Sequence, residues 1–180
     1  MDITQKVADL VRLTLNMPNK TVYTAQEDMP LRPGIPVIYI ELSKTPKQFG
    51  TPNIEMMAKT DTVGNIIDDI NETITNQYLA EFQIDFLGFE IAKTLELPTR
   101  LQNQLFSDMG KLIQNELGIG VGKCEFSQNF KELINEKWIN RSIVNIQVYF
   151  TIITVNSIAE YKQVEIQNVN TNQNFIEDIK

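Results

Sequence analysis

Two segments of this 180-residue chain alternate apolar and polar residues with a period of two, the pattern of a β-strand that buries one of its faces. They cover residues 78–87 and 142–156. Each strand is predicted to pack on a core through its apolar side and to leave the other side in water. The predicted polar surface consists of Glu81, Gln83, Asp85, Asn145 and Gln147.

Segments with helical periodicity are predicted to form helices that cover the apolar side of the sheet. Asp2 is placed to cap a first helix, which is predicted to end near Asn16, before Pro18. A second helix is predicted to open or kink at Pro98 and to end at Gly118. Its predicted buried face consists of Leu101, Leu105, Met109, Leu112 and Ile113. The predicted fold class is therefore α+β, a mostly antiparallel or mixed β-sheet packed by two or three helices.

The remaining segments suggest how the chain is divided. Residues 36–42 are apolar on both alternating faces, which predicts an interior strand. Residues 43–64 lack periodicity and contain prolines and glycines, so they are predicted to form a long loop, a candidate contact element. Residues 168–180 are rich in asparagine and are predicted to be a tail or arm. A single α+β domain is predicted over residues 1–167.

Composition excludes several classes of enzyme. The chain has no histidine, so neither a Ser-His-Asp nor a Cys-His arrangement can form. The only cysteine, Cys124, can form no internal disulfide and is predicted to be a buried apolar residue. The formal net charge of -7 argues against tight binding to nucleic acid, which depends on Lys and Arg contacts to phosphate. No apolar run approaches the roughly 20 residues of a membrane helix, so a soluble protein is predicted.

Two groups of residues are similar to ligand sites. Residues 118–123 contain three glycines and a lysine, but Leu117 stands where a Walker A loop requires its first glycine. Cys124 stands where that loop requires Ser or Thr, so a helix cap and turn are predicted instead. Carboxylates that could gather around Mg²⁺, although nothing fixes their geometry, are Asp61, Asp68, Asp69 and Glu72. No catalytic residue, metal site or cofactor is predicted.

Trp138 is the only tryptophan and precedes the long alternating strand. Packed over the edge of the sheet, it would be a core or rim residue, which is the interpretation favoured from the sequence. Exposed, it would be an anchor of a protein interface, where Trp and Arg are enriched. Arg141 follows it closely in the same segment.

Three segments together carry a resemblance to a known family. Residues 29–40 lead from Met-Pro into the interior strand, residues 82–88 read Phe-Gln-Ile-Asp-Phe-Leu-Gly, and residues 136–150 begin with Glu-x-Trp-x-x-Arg. In their order along the chain, these segments resemble the neck or tail-terminator (tail completion) proteins of tailed bacteriophages. The resemblance extends over about residues 20–167 and leaves the asparagine-rich tail outside it.

The resemblance implies a structural virion protein without enzymatic activity, made in the host cytoplasm. It implies a ring, of six subunits, at the head-proximal end of the tail, which terminates the tail tube and joins it to the head connector. The implied partners are other copies of the chain, the tail-tube protein and connector or neck proteins, while DNA only passes through the channel. The polar surface defined above is the candidate channel surface. The candidate subunit interface consists of Phe49, Ile54, Met56, Met57, Trp138, Arg141, Phe175 and Ile176.

Three alternatives stay open at the level of sequence. Another neck component or a tail-tube subunit would have similar residues, but a tube subunit stacks repeatedly whereas a terminator stops after one ring. A metal-dependent nuclease built on carboxylates would lose Mg²⁺-dependent DNA cleavage when Asp61, Asp68 or Asp69 is changed. A monomeric binding or regulatory domain would be recognised by its mass in solution.

Overall fold

The computed structural model describes residues 2–18, 21–24, 36–60, 66–134, 136–159, 163–168 and 173–178. Within these ranges the elements are α1 (Ile3–Leu15), β1 (Val22–Thr24), β2 (Val37–Thr60), β3 (Ile66–Gly88), α2 (Ile91–Leu105), α3 (Asp108–Leu117), β4 (Ile119–Ile134), β5 (Lys137–Ala159), β6 (Gln163–Asn168) and β7 (Gln173–Asp178). The first five strands form one mixed sheet in the order β1-β2-β3-β5-β4, and β6 pairs with β7. The predicted α+β class, a mixed sheet with helices, is confirmed.

The chain forms two compact units. The first holds Met1–Gly50 and Gln77–Ile152, and the second holds Thr51–Asn76 and Ile153–Lys180. Strands β2, β3 and β5 therefore each contribute residues to both units. Neither unit ends at residue 167, and a single domain over residues 1–167 stays a prediction.

The first helix forms as predicted because both of its ends are capped. The Asp2 carboxylate accepts a hydrogen bond from the backbone N–H of Thr4 at 3.0 Å, which satisfies a donor that the first turn leaves free. Asn16 takes the left-handed conformation, with φ of 52°, and ends the helix there. The face that α1 buries consists of Val7, Ala8, Leu10, Val11, Thr14 and Leu15.

The core of the first unit lies between the helices and one face of the sheet. The period-two alternation predicted for β3 and β5 is confirmed on this side, where Phe82 and Phe86 are fully buried. Both pack in one cluster with α1, α2 and strand β2. Each such side chain contributes roughly 1.5–3 kcal/mol when it leaves water. Ile38 and Ile40 of the predicted interior strand are also fully buried.

The predicted second helix is two helices, so its predicted buried face is wrong for Met109 and Leu112, whereas Ile113 packs against the core. Helix α2 contains Pro98, and it ends before Phe106. The Ser107 hydroxyl accepts from the backbone N–H of Gly110 and starts α3 in a new direction. As a result Met109 is 66% exposed and Leu112 is 50% exposed, although their spacing continues the apolar series of α2.

The long loop predicted over residues 43–64 is wrong for residues 43–60, which continue strand β2. Residues 61–64 lie outside the described residues. Strand β1 pairs with β2 in parallel over Ile38–Ile40, so in the described part of the chain this edge of β2 is open beyond Ile40. Prolines are tolerated at an open edge because no partner needs their missing N–H. The turn-like composition of this segment therefore did not prevent a strand.

The asparagine-rich segment predicted as a tail contains a strand. Strand β7 pairs antiparallel with β6 from Gln163↔Asp178 to Asn168↔Gln173. Among the described residues, β6 and β7 form a two-stranded sheet separate from the five-stranded one.

Cys124 is buried, as predicted, on strand β4. Burial raises the pKa of its thiol to about 12, with a smaller contribution from the charge of Glu125. At neutral pH the group is therefore a protonated thiol, which is a poor nucleophile. Its carbonyl oxygen accepts a hydrogen bond from Gln102 Nε2 at 2.9 Å, which links α2 to β4.

Gln114 and Gly110 hold the corner between α2 and α3. The buried Gln114 donates from Nε2 to the carbonyl oxygen of Leu105 at 2.7 Å, and it accepts from the backbone N–H of Val121 at 2.9 Å. The two helices approach so closely that a Cβ on Gly110 would overlap the carbonyl oxygen of Gln104. A side chain at position 110 would therefore force the backbone to move.

We expect Gly110→Ala to lower the free energy of unfolding by about 2–3 kcal/mol, because overpacking against backbone is relieved only by shifting a helix. Gly120→Ala is the matched control, since the nearest atom to its added Cβ is 3.9 Å away. We expect the control to change stability by less than about 0.5 kcal/mol. Urea denaturation of both variants measures the difference, and equal losses would contradict this description of the corner.

Candidate subunit-contact surface

Large apolar side chains lie exposed at five of the predicted interface positions: Phe49, Ile54, Met56, Met57 and Trp138. Trp138 is 64% exposed, so the core interpretation favoured from the sequence is wrong. Its partner in the antiparallel β4–β5 register is Leu133, which is exposed as well. The side chains of Phe175 and Ile176 lie outside the described residues.

Phe49 is partly engaged within the subunit. Its ring meets that of Tyr149 edge-to-face, with centroids 5.3 Å apart and an angle of 66° between the planes. Such a contact fixes the orientation of the ring while leaving part of its surface in water. Phe49 therefore contributes an oriented apolar group to the surface.

Sequence analysis missed a second group of exposed apolar residues. On α3 and the turn before it, these are Phe106, Met109 and Leu112, and on the β4 strand they are Phe126, Phe130 and Leu133. The residues on α3 have a helical spacing that is visible in the sequence, but such spacing normally indicates a buried face. Only the break after Leu105 shows that the face turns outward.

Two residues of the predicted polar surface, Glu81 and Gln147, form a polar network across the sheet together with Lys44. Glu81 forms an ion pair with Lys44 on β2 and accepts from Gln147 Nε2 on β5 at 3.3 Å. The hydrogen bond from Lys44 is the main reason that the pKa of Glu81 lies below its ordinary value. Asn145 is exposed on the same strand as Gln147. These side chains give this part of the sheet a wet, charged surface.

Asp85 departs from that surface, since it is only 1% exposed. Its prediction as a solvent-facing residue is wrong. Arg141 donates from Nη2 to Asp85 Oδ2 at 2.7 Å and from Nη1 to Glu132 Oε2 at 3.0 Å. Gln83 adds a hydrogen bond from Nε2 to Asp85 Oδ1 at 3.1 Å. The carboxylate is thus covered and fully partnered inside the subunit.

The residues around Asp85 on β3 and on the neighbouring strand β5 are buried as well. Every residue from 84 to 88 is buried, so the alternation that holds earlier in β3 stops there. Leu87, two residues further along the strand, and Ile139 on β5 are both buried. The guanidinium of Arg141 lies 5.7 Å from the ring centroid of Phe130, a cation–π contact.

Arg141 is therefore a structural residue of the subunit. Burial alone would lower the pKa of its guanidinium, but the hydrogen bonds and charges of Asp85 and Glu132 outweigh burial and hold that pKa above its ordinary value. The cation stays charged and neutralises a buried carboxylate. Whether Arg141 also contacts a neighbouring subunit stays a prediction.

Of the four acidic residues considered for a metal site, only Glu72 has a side chain within the described residues. Asp61 lies outside the described residues, as do the side chains of Asp68 and Asp69. Glu72 accepts from Asn156 Nδ2 at 3.1 Å. Among the described residues, no group of three or more Cys, Asp or Glu side chains is placed to hold a metal ion. No helix in the described ranges has the length and apolar character needed to cross a membrane.

We expect Arg141→Met to lower the free energy of unfolding by about 3–5 kcal/mol, because it leaves the buried Asp85 without a countercharge. The matched control is Lys123→Met, which removes an exposed ion pair to Glu125. The control is expected to cost about 0–1 kcal/mol. Urea denaturation at neutral pH compares the two, and an Arg141 variant as stable as the Lys123 variant would refute the assignment.

Sequence comparison identifies the family. The sequence model of phage neck terminator proteins matches residues 1–178, nearly the whole chain. No curated protein matches the chain significantly. The family match agrees with the resemblance seen in residues 29–40, 82–88 and 136–150, and with a surface suited to contacts between proteins. The chain belongs to the phage neck terminator proteins, which are structural components of the phage particle.

Proposed function

We propose that the protein forms a closed ring at the head-proximal end of the phage tail, where it terminates the tail tube and joins it to the head connector. The family match over residues 1–178 carries this proposal. The proposed partners are other copies of the chain, in a ring of six, together with the tail-tube protein and connector or neck proteins. DNA passes through the ring without being bound.

Exposed apolar side chains support the self-association. Phe49 and Trp138 of the first unit, and Met56 and Met57 of the second, are large side chains in contact with water. Aromatic residues and methionine are enriched at protein interfaces, where they gain from leaving water. In a homo-oligomeric ring, the partner that covers these side chains is another copy of the chain.

The polar network supports a channel surface. Glu81, Gln83, Asn145 and Gln147 carry polar groups on a sheet surface of a chain with a formal net charge of -7. Lys44 on this surface is already paired with Glu81, which limits its attraction for the phosphates of passing DNA. Asp85 is excluded from this surface because Arg141 covers it.

The mass of the purified protein across a concentration range tests the ring, together with electron microscopy with and without tail tubes. We expect discrete particles near six times the 20.6 kDa of one chain, which cap tube ends. The fluorescence of Trp138 should shift to shorter wavelength on assembly, since it is the only tryptophan and would leave water.

Other outcomes of these measurements would contradict the proposed ring or its channel surface. Open-ended stacking would indicate a tail-tube subunit, and a monomer that ignores tubes would reject the ring. A ring map with Glu81 and Asn145 away from the lumen would reject the channel surface.

The C-terminal residues 168–180 are proposed as an arm that contacts a neighbouring copy. Their removal deletes β7, the pairing partner of β6. We expect weaker assembly with an unchanged melting temperature of the monomer, measured by solution mass and thermal denaturation. Removal of residues 179–180 alone keeps β7 and should leave assembly intact. Equal assembly of both truncated chains would reject the arm.

A further inference from the structure

The described strand segments of the second unit expose apolar side chains on both faces. These segments are residues 51–57 of β2, 72–76 of β3 and 153–156 of β5, together called the ribbon. Met56 is 65% exposed and Met57 is 62% exposed. Because consecutive side chains of a strand point to opposite faces, each face of the ribbon presents a methionine to water.

Neighbouring contacts agree with this division into faces. Asn53 donates from Nδ2 to Glu55 Oε1 at 3.0 Å, and both lie at alternate positions with Met57. Ile54 alternates with Met56 and is also exposed. On β5, Ile153 and Val155 share a face and are exposed, while Asn156 is bonded to Glu72 on the other.

The ribbon is poor in charge. Glu55 and Glu72 are the only charged residues within residues 51–57, 72–76 and 153–156. The whole chain has a formal net charge of -7, so copies of it repel one another over most contacts. A surface with few charges and several apolar side chains is where two copies can approach at the lowest electrostatic cost.

We infer that the ribbon is held between two neighbouring copies of the chain, one packed on each face. This inference rests on the ring proposed above. A two-fold dimer uses one and the same patch on both copies, so it would cover a single face. A closed ring built head-to-tail needs two different contact surfaces on every subunit, and the two faces of the ribbon provide them. If a single partner other than a copy of the chain packed on one face, the methionine on the opposite face would stay in water.

Two substitutions of the same residue type test the faces separately. Met56→Glu and Met57→Glu place one charge on opposite faces of one strand, at side chains of nearly equal exposure. Ile91→Glu is the control, because Ile91 is an apolar residue 51% exposed on α2 in the first unit. Ring formation by the full-length protein is measured by solution mass and by microscopy with tail tubes.

We expect each ribbon variant to reduce the ring population at least tenfold, and the Ile91 variant to form rings as wild type does. An effect of only one ribbon variant, of neither, or of all three variants equally would overturn the inference. Loss of tube capping with rings intact would overturn it too, since it would assign the ribbon to the tube. If wild-type protein forms no ring even on tubes, the proposed function itself fails.

Folding is checked separately from assembly. Both methionines are exposed in the single chain, so the variants should keep the circular dichroism spectrum and melting temperature of the wild-type monomer. If either glutamate variant fails to fold, Met56→Ser and Met57→Ser remove the apolar groups without adding charge. Both serine variants should weaken the ring, and wild-type assembly of either would overturn the inference.

Discussion

Burial of one sheet face beneath the helices is the interaction on which the rest of the first unit depends. Strand β3 lies between β2 and β5, and its residues Phe82 and Phe86 are fully buried against the helical layer. This packing fixes which side of β3 faces water. It thereby places Glu81 in the polar network, and β5 carries exposed side chains such as Trp138.

The parts of the fold that the sequence predicts well are those where local pattern and burial agree. Helix α1 has its cap at Asp2, its stop at Asn16 and an apolar face between them, all within one short segment. The alternating strands follow in the same way. In each case the residues that decide the structure are near neighbours in sequence, so that periodicity is sufficient.

The predictions from sequence are wrong where residues distant in the sequence determine the local structure. Composition indicates a loop for residues 43–60, but their place in the sheet depends on β3, a separate strand. Asp85 continues a polar alternation, yet Arg141, 56 positions away, covers it. For the candidate interface, the sequence alone was sufficient to choose large apolar residues. The exposure of Trp138 and of the methionines is visible only in the folded chain.

The buried position of Cys124 has a consequence for how copies of the chain can be joined. A thiol whose pKa is raised to about 12 by burial presents no thiolate to an oxidant. Since it is the only cysteine of the chain, folded copies have no means of becoming covalently joined through sulfur. Contacts between folded copies must then be noncovalent, and such contacts can form and separate without any change of redox state.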